Sequence, residues 1–464
     1  MNRLLHAYFP LRTLCLVGSE ILLILLAFAA AAIVQIGASD ATRVFIYDQG
    51  IVKLGIITVS LIACMYYFDL YENAVLNDRR ELLARMAQAI GTVSLILAFL
   101  YTFLPPLRFG NDISLMGLLA GGAALIGARG LFLLINNSSR FHEKTLVLGN
   151  GPLAHLLRVQ IQQRPELGMR IVDACAAERD EGGTEASAMI PDRLIDLHHL
   201  VESQRIRRII LATNDRRGKL PLELLLQLKK CGIRIDDGAD LYEGITGKVP
   251  LEIRTLSSLL FSRAFRPSKL LLIYKRTFSI IGAFFGLLIC APLMALVAIA
   301  IRLDSPGPVI FRQKRVGKDS RTFVLYKFRS MYIGLDQDQG QRPAAEGDTR
   351  FTRVGRLLRR ARIDELPQLY NILRGEMYFV GPRPFLGAHE DALAAKIPFY
   401  GQRWAVRPGA TGWAQVNRGY CATIDDNTEK LAYDLFYIKN MSIGLDLFIL
   451  FKTIKILLLG RGSR

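Results

Sequence analysis

Two adjacent carboxylates, Asp364 and Glu365, follow a run of arginines in the segment RRARIDELPQLYNILRGEM. Arginines three and four residues apart share a helix face, and guanidinium groups bind phosphoryl oxygens in a bidentate way. The arginines of this region are Arg350, Arg353, Arg356, Arg359, Arg360 and Arg362. Local ion pairs on a solvated helix are the alternative for some of them, such as Arg360 or Arg362. The spacing predicts a phosphate-binding face beside a pair of carboxylates.

Two chemical roles suit adjacent Asp and Glu side chains among such arginines. Mg²⁺ prefers oxygen ligands and commonly joins one or two carboxylates to substrate phosphates. A carboxylate can also attack phosphorus and form an acyl phosphate. The arginines are expected to lower the pKa of both carboxyls and so keep them charged at neutral pH. Asp364 and Glu365 are therefore predicted to act in phosphoryl transfer and to hold Mg²⁺.

Three further basic residues are candidates for binding the same phosphates. Lys327 and Arg329 lie in the segment YKFRS, and Arg383 lies between Pro382 and Pro384. Proline on both sides restricts the backbone around that arginine.

The composition indicates a membrane protein. The chain of 464 residues has a formal net charge of +18, and 51% of its residues are hydrophobic. A membrane explains both properties, because basic residues collect on the cytoplasmic side of membrane proteins and beside anionic head groups. No aromatic-interleaved basic groove or zinc-finger spacing favours nucleic acid, so we predict no nucleic-acid partner. The six cysteines lack a CxxC spacing and are predicted to be reduced.

Four early apolar runs, at roughly 14–37, 51–68, 86–104 and 113–135, predict four transmembrane helices. Each is near the length of about 20 residues that a helix needs to cross a bilayer. The first is too long for the apolar region of a signal peptide and is expected to stay as an anchor. Basic residues concentrate at one end of the bundle, so the positive-inside rule places both of its chain ends in the cytoplasm.

The polar segment 140–265 has the pattern of a small Rossmann-like α/β domain. A strand-like run ends in the letters GNG and leads into a helical pattern with Ala154, and the run IRRIILAT (206–213) predicts a second parallel strand. Asp173 is at about the distance expected for the ribose-binding acid, although a loop-like stretch follows it. A lone glycine motif leaves two hypotheses open, a bound nucleotide or a structural or regulatory domain.

The apolar stretch 274–303 could span a bilayer, but Pro292 lies near its middle. Proline removes a backbone donor at a depth where no water compensates. A simple crossing would also place the basic segment 302–376 outside, although the equally basic segment before it is predicted inside. We therefore predict a re-entrant helix that breaks near Ala291-Pro292 and returns to the cytoplasmic face.

The last third, 302–464, is predicted to be a mainly helical α+β domain. Near its end the run LDLFILFKTIKILLLG (445–460) is apolar, with Lys452 and Lys455 on one helix face. An interfacial helix and a buried core helix both fit this pattern.

Five motifs occur in order along the chain: YKRTFSIIGAFFGLLICAPLMALVAIAIRLDSPGPVIFRQKRVG, YKFRSM, RIDELPQLYNILRGEM, VGPRP and RPGATGWAQVN. They resemble those of the bacterial sugar transferases, the monotopic polyprenyl-phosphate hexose-1-phosphate transferases. The resemblance covers about 270–464, and more loosely the whole chain, because longer members carry four transmembrane helices and a Rossmann-like domain. It implies a transmembrane domain over 1–139, a cytoplasmic Rossmann-like domain over 140–265, and a catalytic domain over 270–464 that contains the re-entrant helix.

The resemblance implies transfer of a sugar 1-phosphate from a UDP-sugar to undecaprenyl phosphate, with release of UMP. This reaction starts the synthesis of exopolysaccharide or another surface glycan, and the sugar is expected to be glucose or galactose. The implied enzyme is a multi-pass protein of the bacterial inner membrane, with soluble domains in the cytoplasm, Mg²⁺ as cofactor and a homodimer as one expected assembly. A covalent phosphosugar-enzyme intermediate would let UMP leave before the lipid phosphate attacks.

Site roles follow from the same resemblance, motif by motif. It implies that Asp364 is the nucleophile on the donor's β-phosphate and that Glu365 helps to hold Mg²⁺. Arg359 and Arg383 correspond to arginines that the family uses around the phosphates.

At the membrane, Lys275 and Arg276 form the basic pair where lipid phosphate or head groups could be met. Pro292 would face the membrane at the turn of the re-entrant helix. The family often has a Ser-Pro pair there, whereas this chain has Ala291-Pro292, so fold-back would rest on the proline and on packing.

Two other classes compete with this interpretation. A membrane-anchored NAD-dependent nucleotide-sugar dehydratase or epimerase can also combine four spans with a Rossmann domain, but it typically needs a Tyr-x-x-x-Lys or similar pair, and this sequence has no Tyr-x-x-x-Lys. A non-catalytic, nucleotide-sensing membrane scaffold would leave 302–464 silent. The Asp364-Glu365 pair among arginines argues against the scaffold.

Overall fold

The computed structural model describes residues 11–72, 75–76, 78–137, 142–149, 151–172, 194–212, 222–251, 268–333, 349–385, 387–418 and 423–459. Asp173 and the loop-like stretch after it lie outside these residues. The chain divides into two units, 1–245 and 246–464. The boundaries of the three predicted domains stay a prediction.

The N-terminal unit begins with a helical bundle. Its helices are Leu11–Ile36, Ala38–Tyr47, Gly50–Tyr67, Arg79–Phe103 and Asn111–Asn137. The four long ones are apolar and long enough to cross a membrane, which agrees with the four predicted spans. Large apolar side chains fill the space between them, among them Ile24, Phe28, Ile57, Met65 and Leu125. Their outer faces keep many large apolar side chains exposed, as expected of helices that meet lipid.

A buried ionic cluster joins three segments of this bundle. Arg129 Nε lies 2.8 Å from Glu20 Oε1, and both side chains are 0% exposed. Tyr71 Oη donates to Glu20 Oε2 at 2.6 Å, and Arg129 Nη1 donates to the carbonyl oxygen of Leu70 at 2.6 Å. We call the Arg129–Glu20 pair the bundle ionic cluster. A buried charge is costly unless a partner compensates it, so this pair favours one arrangement of the two helices and the 70–71 turn.

A four-stranded parallel sheet completes the N-terminal unit, in the order β2-β1-β3-β4. Its strands are β1 (Glu143–Leu148), β2 (Met169–Val172), β3 (Arg208–Leu211) and β4 (Arg234–Asp237). The accompanying helices are Pro152–Gln163, Leu194–Gln204, Leu222–Lys230 and Gly238–Thr246. The predicted strand in IRRIILAT is β3, and the helix predicted after the GNG letters begins at Pro152.

The C-terminal unit combines one long helix, two small sheets and six shorter helices among its described residues. β5 (Ile310–Val316) and β6 (Thr322–Phe328) form an antiparallel hairpin, and β7 (Tyr378–Val380) pairs in parallel with β8 (Gly409–Thr411). The shorter helices are Arg353–Arg360, Gln368–Arg374, Gly387–Lys396, Trp413–Asn417, Ile424–Lys439 and Ile443–Leu458. The unit is mainly helical with some strand, as predicted.

The long helix, Lys269–Asp304, has 36 residues, and Ser268 caps its start by accepting from the N–H of Leu271. It continues through Pro292. The predicted interruption near Ala291-Pro292 is therefore not an end of helical structure, since one missing N–H does not by itself end a helix.

Both halves of the long helix pack on the same unit. Ala283, in the first half, packs with Ile372 and Met377, whereas Ile301, near the end, packs with Leu358. Between these contacts the helix exposes large apolar side chains, including Phe284, Phe285, Leu288, Ile289 and Leu296.

The C-terminal helix, Ile443–Leu458, has features of both predicted alternatives. Leu445 and Ile449 are buried against the unit. Leu447, Phe451 and Ile454 are exposed on another face.

Candidate functional site

The helix before the carboxylate pair is fixed at its start. Thr352 Oγ1 accepts from the N–H of Gly355 at 2.9 Å, and Asp304 Oδ2 accepts from the N–H of Val354 at 3.0 Å. A Cβ atom at Gly355 would lie 2.0 Å from the carbonyl oxygen of Ser330, so only glycine permits this approach. The arginine-rich helix is thus pressed against the segment that follows β6.

Asp364 and Glu365 lie in the 3-10 turn Ile363–Glu365, between two short helices. Arg362, just before the turn, has a φ of 54°. This left-handed conformation costs a non-glycine residue roughly 1–2 kcal/mol, so packing on both sides must hold it. The turn carries both carboxylates out of the arginine helix and toward the hairpin.

Asn371 connects the following helix to the hairpin. It is 0% exposed, its Nδ2 donates to the carbonyl oxygen of Val324 at 2.6 Å, and its Oδ1 accepts from the N–H of Tyr326 at 3.1 Å. These bonds hold β6 beside the turn. Lys327, which follows Tyr326 on β6, therefore lies close to the two carboxylates.

The structure brings together five of the predicted site residues. Lys327 Nζ lies 3.0 Å from Glu365 Oε1 and 4.0 Å from Asp364 Oδ2, and Arg383 Nη2 donates to Glu365 Oε1 at 2.8 Å. Arg359 interacts electrostatically with Asp364, and its guanidinium lies 4.5 Å from the centre of the Phe351 ring. Their geometry agrees with the predicted cluster, and their roles stay predictions.

The two adjacent carboxyls have opposite pKa shifts. Burial raises the pKa of Asp364 and outweighs the lowering by Lys327 and Arg359. Burial also acts to raise the pKa of Glu365, but Arg383 and Lys327 outweigh it and hold that pKa well below its usual range. The expectation of a lowered pKa is correct for Glu365, where the charges of Arg383 and Lys327 and a hydrogen bond from Arg383 together exceed desolvation. It is wrong for Asp364, where desolvation and the charge of Glu365 exceed the effect of the cations.

Arg315 on β5 is a neighbour that the sequence interpretation missed. Its Nη1 lies 3.4 Å from the carbonyl oxygen of Pro384. Burial, followed by the repulsion of Arg383, lowers its pKa to about 10, against the opposing attraction of Glu365. Among the described residues no hydrogen-bond acceptor reaches its Nε. No local pattern signals this contact, which joins residues 69 positions apart.

Arg329 is not part of this cluster, which corrects its predicted role in phosphate binding. Its Nη1 donates to the carbonyl oxygen of Pro306 at 2.8 Å, and its Nη2 donates to that of Ser305 at 2.7 Å. The side chain is committed to carbonyls at the end of the long helix, where a helix leaves its last acceptors without internal partners.

The buried position of Lys275 does not fit its predicted contact with head groups. Its side chain is 4% exposed, and its Nζ lies 2.5 Å from Asp446 Oδ2 and from Tyr437 Oη. Arg276 donates to the carbonyl oxygens of Ile372 and Leu373, both at 2.8 Å. The basic pair therefore fastens the start of the long helix to its own unit.

Pro292 lies on the exposed part of the long helix. Its predicted contact with the membrane stays a prediction.

The carboxylate pair suits Mg²⁺ only together with a phosphate ligand. Within the described part of the chain, no group of three or more His, Cys, Asp or Glu side chains is placed to hold a metal ion. Asp364 and Glu365 supply two carboxylates, and Mg²⁺ commonly takes one or two from a protein and completes its shell with phosphates and water. The donor set therefore fits Mg²⁺ in a complex with a phosphorylated substrate.

Two family models match the chain. Residues 270–460 match the bacterial sugar transferase family, and residues 66–236 match a CoA-binding domain.

Named relatives match part of the chain. A UDP-N-acetylgalactosamine-undecaprenyl-phosphate N-acetylgalactosaminephosphotransferase of Aeromonas hydrophila is 46% identical over 48% of this chain and 52% of its own length. An undecaprenyl-phosphate glucose phosphotransferase of Komagataeibacter xylinus is 48% identical, but only 35% of its length is covered. The chain thus spans about half or less of these two relatives.

A third relative is covered more fully. The UDP-glucose:undecaprenyl-phosphate glucose-1-phosphate transferase of Caulobacter vibrioides is 46% identical over 189 residues, which make up 40% of this chain and 69% of that protein. The aligned residues and the family match together show that the chain belongs to the bacterial sugar transferase family.

Proposed function

We propose that this protein transfers a sugar 1-phosphate from a UDP-sugar to undecaprenyl phosphate and so starts the synthesis of a surface polysaccharide. The names of the Aeromonas and Caulobacter relatives contain a UDP-sugar and undecaprenyl phosphate, and the name of the Komagataeibacter relative contains undecaprenyl phosphate and glucose. The substrates proposed here are taken from those names and from the family resemblance.

The observation that carries the proposal is the surplus of positive charge around Asp364. Within the part of the chain that the structure describes, the largest charge effects on that carboxylate come from Lys327, Glu365, Arg359 and Arg383, and Glu365 is the one anion among these four. Three cations beside two carboxylates leave a net positive site, which a diphosphate would neutralise. The buried aspartate lies among these cations, which suits its proposed attack on a phosphoryl group.

The proposed reaction has two steps. In the first, a carboxylate oxygen of Asp364 attacks the β-phosphorus of the UDP-sugar, the bond from that phosphorus to the bridging oxygen breaks, and UMP leaves with the electron pair. In the second, a phosphate oxygen of undecaprenyl phosphate attacks the same phosphorus and displaces Asp364. Arg359, Arg383 and Lys327 would stabilise the negative charge on the phosphoryl oxygens in both steps.

Mg²⁺ is proposed as the cofactor, held by Glu365 and Asp364 together with the donor's phosphates. When bound there, it would neutralise charge on the phosphoryl oxygens. The residues of the chain would orient the donor, because Glu365 is itself fixed by Lys327 and Arg383.

We also propose that the long helix enters the membrane from the cytoplasmic face and returns to it. The two ends of a spanning helix lie on opposite sides of a bilayer whose hydrocarbon core is about 30 Å thick. Here Lys275 near the start and Ile301 near the end both contact residues of the C-terminal unit. A shallow insertion of the exposed apolar stretch around Pro292 satisfies this arrangement.

The remaining proposals concern the whole chain. The parallel order β2-β1-β3-β4, with Gly149 at a φ of 134° directly after β1, supports a Rossmann-like class for the sheet. The proposed location is the bacterial inner membrane, with both soluble parts in the cytoplasm and a homodimer as the assembly.

The central test measures UMP release by the purified full-length protein with undecaprenyl phosphate and Mg²⁺. The donors are UDP-glucose and UDP-galactose, which carry the expected sugars, and UDP-N-acetylgalactosamine, which occurs in the name of the Aeromonas relative. We expect at least one donor to give UMP and Asp364→Asn to abolish its release. A donor labelled in the sugar should label the wild-type protein covalently and leave Asp364→Asn unlabelled.

Asp319→Asn is the matched control, since Asp319 is a carboxylate of the same unit whose side chain is 61% exposed. It should keep wild-type turnover. Absence of UMP with every donor, or full turnover by Asp364→Asn, would rule the proposal out.

The re-entrant helix is tested separately by cysteine labelling of intact cells that express single-cysteine variants of the protein. Ser320→Cys should react with a membrane-impermeant reagent only when the native Cys231 also does. Labelling of one position from outside the cell and not of the other would exclude the re-entrant arrangement.

A further inference from the structure

The segment that carries Arg383 is held at each of its residues. We call residues 381–385 the Pro-Arg-Pro segment. The carbonyl oxygen of Thr411 accepts from the N–H of Gly381 at 2.9 Å, and the N–H of Gly409 donates to the carbonyl oxygen of Pro382 at 2.9 Å. The N–H of Val316 donates to the carbonyl oxygen of Phe385 at 3.3 Å. The backbone on both sides of Arg383 is thus bonded to other strands.

The backbone of Arg383 itself is held by the side chain of Arg403. Arg403 Nη2 donates to the carbonyl oxygen of Arg383 at 3.0 Å. The same guanidinium lies 4.8 Å from the centre of the Phe385 ring. One side chain therefore contacts the Pro-Arg-Pro segment twice, on its backbone and on its aromatic residue.

Arg403 is in turn fixed by a buried set of acceptors. Its Nε donates to Asp434 Oδ2 at 2.9 Å, and its Nη1 donates to Tyr400 Oη at 2.6 Å and to Glu390 Oε1 at 3.4 Å. Arg403 is 4% exposed, and Asp434 and Glu390 are each 2% exposed. Only a forked guanidinium can satisfy these acceptors and still present one N–H to a carbonyl, because a lysine ammonium is a compact point charge.

We propose that Arg403 is a positioning residue for the transfer and acts through Arg383. The inference rests on the proposed function. Arg403 contacts the main chain of Arg383, and the side chain of Arg383 reaches Glu365. A shift of the Pro-Arg-Pro segment would move the guanidinium of Arg383 away from the phosphoryl group during transfer, when its charge matters most.

The first experiment measures steady-state UMP release by Arg403→Lys. A misplacement of about 1 Å can cost about 100-fold in rate, so we expect kcat to fall about 10- to 100-fold. The KM for the UDP-sugar should change much less, because the residues that bind the phosphates remain present. Arg208→Lys is the matched control for general destabilisation, since Arg208 on β3 also pairs with two carboxylates, Glu143 and Asp236. It should leave kcat per folded molecule unchanged.

A double-mutant cycle separates positioning from a purely structural role. If Arg403 acts through Arg383, Arg403→Lys should lower kcat much less in the Arg383→Lys background than in the wild type. Effects that multiply independently would overturn the inference. An unchanged kcat in Arg403→Lys, with a loss of thermal stability like that of Arg208→Lys, would overturn it as well.

Tyr400→Phe covers the case in which Arg403→Lys does not fold. It removes one hydroxyl partner of Arg403 and no charge, and it should lower kcat in the same direction by a smaller factor. A wild-type kcat in a folded Tyr400→Phe would then count against the inference. No UMP from the wild type would overturn the proposed function and this inference together, whereas UMP from the wild type with an unchanged kcat in the variants would overturn this inference alone.

Discussion

Each unit holds a cluster of charges, and the two clusters differ in their balance and in their burial. In the bundle ionic cluster, one cation, Arg129, meets one anion, Glu20, and both side chains are 0% exposed. In the C-terminal unit, Lys327, Arg359 and Arg383 surround two carboxylates and leave a surplus of positive charge. In a balanced buried pair the two charges neutralise each other, and the role of the pair is structural. The surplus beside Asp364 is within reach of solvent, because the side chains of Lys327, Glu365 and Arg383 are 20%, 18% and 30% exposed, so a ligand of the other sign can complete it.

Breaking the bundle ionic cluster should have the largest effect in free energy. This effect should be on the stability of the protein and not on its catalysis. Arg129→Met leaves Glu20 buried without its cation, and such a change is expected to cost about 3–5 kcal/mol of unfolding free energy. Thermal unfolding of the purified protein measures it. The double variant Arg129→Met with Glu20→Gln should recover part of the loss, and a double variant less stable than the single one would contradict the comparison.

Removing a cation from the unbalanced cluster should instead lower catalysis. Arg383→Gln is expected to reduce kcat/KM for the UDP-sugar by about 10²–10³-fold, the usual effect of losing one group that stabilises charge in a transition state. Stability should change little, because Lys327 still pairs with Glu365. Arg312→Gln, an exposed arginine on β5, is the control and should keep wild-type turnover. Equal activity in both variants would show that the surplus charge has no catalytic role.

Lys327→Gln should have an intermediate effect. Its Nζ is 3.0 Å from Glu365 and 4.0 Å from Asp364, so its closer contact is with the carboxylate proposed to hold the metal. Loss of one charge-assisted hydrogen bond of about 1.5 kcal/mol corresponds to about a tenfold decrease in kcat/KM. Initial rates of UMP release measure it, and a decrease larger than that of Arg383→Gln would reverse the proposed ranking of the two cations.

Arg360→Gln should have the smallest effect. It tests whether Arg360 differs in function from the neighbouring Arg359, which interacts with Asp364. Arg360 is exposed on the helix Arg353–Arg360. A surface substitution of this kind usually stays within about 0.5 kcal/mol. Turnover and thermal stability should both remain close to wild type. A tenfold loss of turnover would show that the phosphate-binding face extends further along this helix than the contacts of Arg359 indicate.

The sequence was sufficient for those parts of the site that short motifs encode. Spacing and family motifs predict a cluster of Asp364, Glu365, Lys327, Arg359 and Arg383. These residues lie together in the structure. The four apolar runs and the parallel strand in IRRIILAT were likewise predictable, because hydrophobic length and periodicity are local properties.

The errors come from contacts between distant parts of the chain. The segment YKFRS predicts phosphate binding for both Lys327 and Arg329. However, β6 ends at Phe328, and Arg329 donates to the carbonyl oxygen of Ser305 at the end of the long helix. The basic pair at the start of the long helix predicts head groups as the partner of Lys275, but its partner is Asp446, 171 positions away. Pairing across such distances is set by tertiary packing, which no local pattern contains.

The bonded backbone of the Pro-Arg-Pro segment has an entropic consequence. Fixing one residue's backbone costs roughly 1–2 kcal/mol at 25 °C, and prolines lower that cost by restricting the unfolded chain as well. For residues 381–385 this ordering is completed when the protein folds. A donor that binds beside Arg383 therefore meets a loop that has already lost its freedom, and more of its interaction energy is retained as affinity or as rate.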